Sequence, residues 1–532
     1  MRMSSVAPAA EPRRESAPDI EQTDNRPQAA TDGIASVPRQ ADRLAALTGA
    51  ADLFRTPDGI AYADLEIDGH RETWAVHSRF FRRWLTWQLL SATNGVPSAQ
   101  ALNEALGLLE ARALSGGPVH EVKVRLCRLG DTIYLDLGDP AWRAVEIDAE
   151  GWRLIERPPV RFRRPAIQQP LPPPERGGTV TILRSFLDLP TDADLAMAIA
   201  WLVAALADRG PCPVLVLAGE AGAGKSTFMA MMQALIDPGA ARLRALPRGE
   251  RELIVAARDC HVLAFDNLSS LSGWFSDALC RLLSGGGFAA GPDGDTAGMA
   301  GMARPVIMNG ITDIVARPDL ADRALFLTLN GIPPERRRTE ADLWSAFEAA
   351  RPRLLGILLD AVSCGLRRLP QIRPTEAPRM ADLARWVEAC EPSLFVPGAF
   401  KTLYSRNRDG AARDAIECDA FLIRVRDFAC QEGAWVGSAT QLYREMTPGA
   451  APGRAWPGSA RALSSRLRQG GAFLRRCGIE VVFERAGGGL RIIRLAVLPD
   501  SPAAAIRSGD AKARSGDAKA SPATSVASQP SA

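Results

Sequence analysis

The spacing of apolar residues changes its period several times along the chain, and each change marks an element. "YADLEIDGHRETWAV" (62–76) alternates apolar and polar residues on both sides of Asp68-Gly69, the pattern of two strands joined by a tight hairpin. "SRFFRRWLTWQLL" then returns apolar residues at helical spacing, which predicts an amphipathic helix capped by Ser78. "SAQALNEALGLLEARAL" predicts a second helix, and "EVKVRLCRLGDTIYLDLGD" a further alternating hairpin. "RPPVRFRRPAIQQPLPPPERGG" has no period and many Pro, so it is expected to separate this α+β module from the next domain.

From about 179 to 370 helical and strand patterns alternate, as in an α/β domain. "LAMAIAWLVAALA" is apolar on every side, which predicts a buried helix, and it is too short to cross a membrane. "VLVL", "HVLAFDN", "RPVIMNG" and "ALFLTL" are nearly unbroken apolar runs, expected of strands covered on both faces in a parallel sheet. Residues 375–430 read as helical. Residues 433–498 read as short helices followed by a strand, a Gly turn and a strand in "EVVFERAGGGLRIIRLAV". The two ends lack any period and are expected to be disordered; "RSGDAKA" occurs twice in succession, at 507–513 and 514–520. The organisation predicted is a disordered 1–45, an α+β module at 46–165, a linker at 166–178 and an α/β domain at 179–370. A helical segment at 371–432, a small domain at 433–500 and a disordered tail at 501–532 complete the chain.

Composition narrows this picture only slightly. The chain has 532 residues, 46% of them hydrophobic and 23% charged, with a net charge of +3, so bulk charge neither demands nor excludes a nucleic-acid partner. Nine Cys without a C-x-x-C pair and four scattered His point to free thiols in a cytoplasmic protein, with no metal cluster. The polar, Pro-rich N-terminal stretch has no apolar core of the kind a signal peptide needs. One bias does matter: the chain contains five Lys against 59 Arg. Lys225 stands alone between Lys123 and Lys401, in "VLVLAGEAGAGKSTFMAMM".

Gly219 to Ser226 fits G-x-x-x-x-G-K-[ST], the phosphate-binding loop, between an apolar strand and an apolar helix. Gly219, Gly222 and Gly224 let backbone N–H groups turn inward around phosphate oxygens, and the helix starting at Lys225, Ser226 and Thr227 adds its positive end. Lys225 must reach the β- and γ-phosphates as a compact ammonium, where a planar Arg fork fits poorly. Ser226 is the expected Mg²⁺ ligand inside the loop. "VLAFD" ends an apolar run on Asp266, the acid that Mg²⁺ coordination needs beside the loop strand. Between Lys225 and Asp266 there is room for a helix and one intervening strand. Asn309, ending "RPVIM", could orient an attacking water or simply turn the chain before Gly310. Arg323, in "DLADRALFLTL", is a surface Arg in isolation and gains meaning only as the last of the series, with Arg317 as its competitor.

Taken together, these residues resemble superfamily 3 helicases, and within them the primase–helicase ATPases of phages, plasmids and integrated mobile elements. The most specific block is "NGITDIVARPDLADRALFLTL", and "LCRLLSGGGF" resembles the Gly-rich stretch such proteins carry between the acid and the Asn. The resemblance covers about 180–370. It implies an α/β P-loop NTPase domain with an AAA+-like parallel sheet, acting as a homo-oligomeric ring that hydrolyses ATP with Mg²⁺ and unwinds or remodels DNA. It further implies Lys225 and Ser226 on phosphate and Mg²⁺, Asp266 on Mg²⁺, Asn309 as sensor, and Arg323 as an arginine finger supplied to the neighbouring subunit.

Two departures stand out. The second acid that often follows the Mg²⁺ ligand is Asn267 here, which cannot take a proton. The stretch Ser284–Ala303, where many relatives carry a basic DNA-gripping hairpin, has no Lys, Arg or His and contains Asp293 and Asp295. At the end of the chain, "SARALSSRLRQGGAFLRRCGI" places Leu463 and Leu467 on one helical face with Arg461, Arg466 and Arg468 off it. The adjoining strand pair carries Arg485, Arg491 and Arg494, so the whole resembles a DNA-binding winged helix. The N-terminal module is assigned no activity; the acids of "YADLEIDG" are expected on a solvated strand face. Three functions are therefore in play: a DNA helicase or remodelling ATPase of mobile-element replication, a DNA-binding ATPase that loads or regulates a replisome without translocating, and a P-loop small-molecule kinase.

Overall fold

The computed structural model describes residues 39–49, 51–208, 210–286, 303–310, 317–373, 379–447, 456–485, 491–499 and 501–504. Most of both expected disordered ends, the stretch 287–302 and the Gly turn at 486–490 lie outside the described residues.

The first unit contains α1 (Gln40–Ala46), β1 (Asp52–Arg55), β2 (Ala61–Ile67), β3 (His70–Ala75), α2 (Arg79–Thr93) and α3 (Ala99–Gly116). Its antiparallel sheet runs β1-β2-β3, and Asp68 and Gly69 turn the hairpin with φ of 48° and 82°. Ser78 and Ser98 accept hydrogen bonds from the N–H of Phe81 and Ala101, each 3.1 Å, and so start the two long helices. Leu44, Leu65, Phe81, Leu85 and Leu106 form the core of this unit. The expected solvated strand face is corrected at one position. Asp64 is buried, accepting from Thr73 Oγ1 at 2.6 Å and Arg161 Nε at 2.7 Å, because a residue from beyond the unit neutralises it there.

The remainder of the predicted α+β module belongs elsewhere. β5 (Leu126–Leu129), β6 (Thr132–Asp136), β7 (Ala144–Ile147) and β8 (Trp152–Ile155) form a four-stranded antiparallel sheet, flanked by the short parallel pair β4 (Val122–Lys123) and β9 (Arg161–Phe162). Ile133, Leu135, Val145, Ile147 and Trp152 share one hydrophobic core with α4 (Asp192–Ala205) and α9 (Glu340–Arg368). Hydrogen bonds pin the contact: Trp152 Nε1 donates to Asp360 at 2.7 Å, and Ser363 Oγ to the Asp148 carbonyl at 2.7 Å. The expected linker at 166–178 is likewise a packed strap. Gln168 bonds Asp136, Leu171 is buried, the Gln169 N–H reaches the Pro238 carbonyl, and the Glu175 N–H reaches that of Pro352.

The central layer is a four-stranded parallel sheet in the order β11-β12-β10-β13, from β10 (Val214–Gly219), β11 (Leu263–Leu268), β12 (Val306–Gly310) and β13 (Ala324–Leu329). Its strands are buried on both faces along most of their length, as their apolar runs require, while on the edge strand β13 Phe326 is half-buried and Thr328 exposed. Helices α5 (Lys225–Ile236), α6 (Glu250–Asp259), α7 (Gly273–Leu283) and α8 (Pro318–Ala321) lie between them in sequence. The intervening strand expected before Asp266 is reduced to a single parallel bridge between Arg244 and Phe265.

After the sheet come α10 (Ala381–Cys390), α11 (Ala399–Glu417), α12 (Ala420–Glu432), β14 (Ala434–Ser438), α13 (Ala439–Met446), α14 (Ala460–Arg476), β15 (Ile479–Arg485) and β16 (Arg491–Val497). β14, β16 and β15 form an antiparallel sheet in that order. α12 packs with this sheet, not with α10, so the expected boundary at 433 moves to the start of α12. α11 docks along β13: the Asn407 side chain bonds both the N–H and the carbonyl of Phe326, at 3.0 and 2.6 Å, and Arg408 pairs with Asp322. Among the described residues no helix is long and apolar enough to cross a membrane.

Candidate functional site

Three strands of the parallel sheet end side by side and bring the sequence-predicted residues together. β10 passes through Gly219 into the loop, and α5 begins at Lys225. Gly219 has φ +140°, and a Cβ there would lie 2.3 Å from the Leu329 carbonyl oxygen, so the turn admits only Gly. Gly224, at φ 75°, occupies the N-cap position of α5. Lys225 Nζ donates to the carbonyls of Gly219 and Glu220, both at 2.7 Å, so the ammonium is held over the loop.

Ser226 Oγ donates to Asp266 Oδ1 at 2.9 Å. Leu217 pairs with Asn309 and Phe265 with Met308, which sets Asp266 beside Asn309 at the same edge. Beyond Phe265 the β11–β12 register shifts, and Asn267 adopts φ 57°, a left-handed conformation that Asn tolerates. That turn aims the Asn267 N–H at Asn309 Oδ1, 2.7 Å away. With its oxygen so engaged, buried Asn309 must present its NH₂ group, which lies 3.4 Å from Ser226 Oγ. Asn267, which stands where an acid is often found, thus orients the neighbouring amide through its backbone. Thr227 is half-buried on the first turn of α5.

Arg323 is not part of this constellation. It precedes β13, whose first residue Ala324 pairs with Val214 at the opposite end of the sheet from Gly219. Six residues of strand separate the two levels, roughly 20 Å at about 3.3 Å per residue. Its side chain is half-exposed there. Arg317 is committed to the Asp277 carboxylate at 2.8 Å and the Gly273 carbonyl at 3.2 Å.

The residues at the strand ends open into a cleft of about 1390 Å³. Its far wall comes from the last part of the chain: Asp414 of α11, Asp419 at the start of α12, and Arg466 and Phe473 of α14. Arg466 grips both Asp419 oxygens, at 2.9 and 3.1 Å, and lies over the Phe421 ring. Burial, with Glu417 beside it, pushes the Asp414 carboxyl above its ordinary range. Sequence reasoning missed this wall; no motif links these residues to the loop, and only the docking of α11 on β13 brings them there.

The chain matches the model of the Actinomycete integrative conjugative element replication protein over residues 181–398, and that of the AICE RepA C-terminal domain over 421–512. The two spans take in 310 of the 532 residues. It is a replication protein of a mobile element. The first family span runs from just before α4 to the start of α11, covering the whole parallel sheet, and the second begins within α12. No curated protein matches the chain. Among solved structures, the A form apo structure of the NrS-1 C-terminal region aligns at 11% identity and a TM-score of 0.36, covering 86% of this chain and 98% of that one. The apo structure of the same region (305–718) aligns at 9% and 0.35, over 87% and 100%.

Proposed function

We propose that this replication protein is an ATP-hydrolysing motor that acts on DNA as a homo-oligomeric ring, with a P-loop NTPase domain at its centre and a winged helix at its end. One observation carries the reading: Lys225, Ser226, Asp266 and Asn309 converge at the end of three adjacent parallel strands. Lys225 supplies a point charge to the β- and γ-phosphates, and the loop N–H groups with the α5 N-terminus cradle the rest of the triphosphate. Ser226 and Asp266 present oxygen donors 2.9 Å apart, a set that suits a hard divalent cation. Mg²⁺ held there would neutralise charge on the γ-phosphoryl. Asn309, its amide oriented by Asn267, directs an N–H toward the same place and is suited to positioning the attacking water. The proton of that water needs a base other than Asn267; Asp266, Glu220 and the raised Asp414 carboxyl all face the cleft.

The order β11-β12-β10-β13, with the Arg244 bridge beyond β11, supports the AAA+-like reading of the sheet. The succession α12-β14-α13-α14-β15-β16, with β16 between β14 and β15, supports the winged-helix reading. In that reading Arg461, Arg468 and Arg475, all exposed on α14, face the duplex. A second reading, a DNA-bound ATPase that loads or regulates a replisome without translocating, is favoured by the absence of basic residues from 284–303.

ATPase activity measured with and without single-stranded DNA tests both. Stimulation by DNA supports the motor, and indifference supports the loader. Absence of any Mg²⁺-dependent hydrolysis would remove the ATPase reading altogether.

A further inference from the structure

The first unit, residues 39–117, carries a surface that the nucleotide site does not use. On α2, Arg79, Arg83 and Trp87 fall at i, i+4 and i+8, and all three are exposed. Trp87 leaves 63% of its surface in solvent. Its neighbours on the helix are spent on packing: Phe80 stacks on Trp74 at 3.9 Å, and Trp84 leans on Phe81 at 5.4 Å. Trp87 has no ring partner among the described residues, and neither Arg79 nor Arg83 has an ion pair among them. Arg82, half-buried beside the row, bonds Asn103 at 2.8 Å.

The charge is local. Residues 39–117 contain eight Arg and nine acids, yet α2 carries three of those Arg and no acid. A surface that is neutral on average has collected positive charge around one bare indole.

We propose that this face of α2 binds single-stranded nucleic acid, with one unpaired base stacked on Trp87 and the adjoining phosphates held by Arg79 and Arg83. The row spans about 12 Å at about 1.5 Å rise per residue, which suits a run of a few nucleotides rather than a long groove. An indole presents a flat face that any base can cover, whereas paired bases in a duplex hide theirs, so the site selects unpaired strands without reading sequence. A protein partner fits less well, because a single exposed ring among guanidinium groups offers little apolar area to bury. This assignment is independent of the nucleotide reading.

The test uses the full chain, without nucleotide, and a fluorescein-labelled oligo-dT of about 20 nucleotides, with a duplex of equal length alongside. Trp87→Ala should weaken oligo-dT binding by roughly ten-fold, the loss of one stacked base, while Trp87→Phe retains most of it. The Arg79→Ala/Arg83→Ala pair should make the salt slope shallower by about 0.7 for each phosphate no longer neutralised. Duplex affinity should not respond to Trp87→Ala. Because Trp87 is exposed, its removal should leave the melting temperature unchanged, which confirms a folded variant. Unchanged oligo-dT affinity in folded Trp87→Ala overturns the proposal. So does an equal loss for duplex and single strand, or a change of oligomeric state with oligo-dT binding intact, which would give the ring to a protein interface.

Discussion

Lys225 accounts for the one position in the central domain where the chain departs from its preference for Arg. Its Nζ lies 2.7 Å from two loop carbonyls, a spacing that a point donor satisfies and a wide guanidinium does not. Lys225→Ala should abolish binding of a fluorescent ATP analogue. Lys225→Arg should lose on the order of 10²–10³ in hydrolysis rate, the cost typical of one misplaced donor at a reacting centre; wild-type turnover in that variant would remove the phosphate role. Another single residue contributes to how stability depends on pH. His261, at the base of β11, is buried, with its ring Nε2 2.7 Å from the Ala205 carbonyl and its backbone N–H on Asp237. Burial, reinforced by Arg304 and opposed by Asp237 and Asp208, holds its pKa below the ordinary 6.5. The folded protein therefore keeps His261 neutral where the unfolded chain takes up a proton. Stability from this residue is complete above about pH 6.5 and falls as the pH drops from there toward the folded value. His261→Gln keeps an N–H for Ala205 but cannot titrate, so its melting temperature should fall less steeply between pH 7 and 5 than that of the parent. Parallel profiles would show that other groups set the acid limb.

At the scale of elements, α14 has two working faces. Leu463, Leu467 and Leu474 are buried in the last core, while Arg466 and Phe473 line the cleft at the strand ends. Arg461, Arg468 and Arg475 are exposed at spacings of seven residues, one face of the helix, with the Arg468 guanidinium lying over the Phe483 ring of β15. Replacing these three by Ala should weaken binding to duplexes of any sequence and reduce the salt slope by about 0.9 for each phosphate no longer neutralised. An unchanged slope would mean that α14 does not lie on DNA. Point variants are the cleaner test here, because deleting 433–532 also removes Arg466 and Phe473 from the wall of the cleft and most of the core that covers α12.

At the scale of the whole molecule, the sheet keeps Arg323 and Lys225 at opposite ends, roughly 20 Å apart by strand length. Arg323 can act on a triphosphate only if that triphosphate is bound by another copy. Arg323→Ala should bind ATP and fail to hydrolyse it, and Lys225→Ala should fail at binding. Mixed together, the two should recover part of the activity at interfaces that join an intact loop to an intact Arg, since arginine fingers contribute on the order of 10³–10⁵ in rate where they operate. Arg317→Ala in the same mixture separates the two candidates, and Arg317 already has Asp277 as a partner. Mixed assemblies that form but stay inactive, or a dilute monomer with full activity, would exclude a finger in trans.

Local chemistry makes much of this protein legible before any fold is considered. Unbroken apolar runs locate the four parallel strands, Asp68-Gly69 the first hairpin, and Ser78 a helix start, because each depends only on residues near it in the chain. The loop at Gly219–Ser226 and the strand ends at Asp266 and Asn309 are visible for the same reason. What a residue faces across the fold is not. The pattern around Asp64 is that of a solvated face, yet Arg161 reaches over and buries it. The Pro-rich strap has the composition of a spacer, yet Leu171 sits in the core. Asn267 stands in the place of an acid, yet its backbone orients Asn309. Arg466 enters the cleft only because α11 is docked on β13. A strand's period depends on its own side chains, whereas a buried charge, a packed strap or a cleft wall depends on a partner distant in sequence, and only the tertiary structure names that partner.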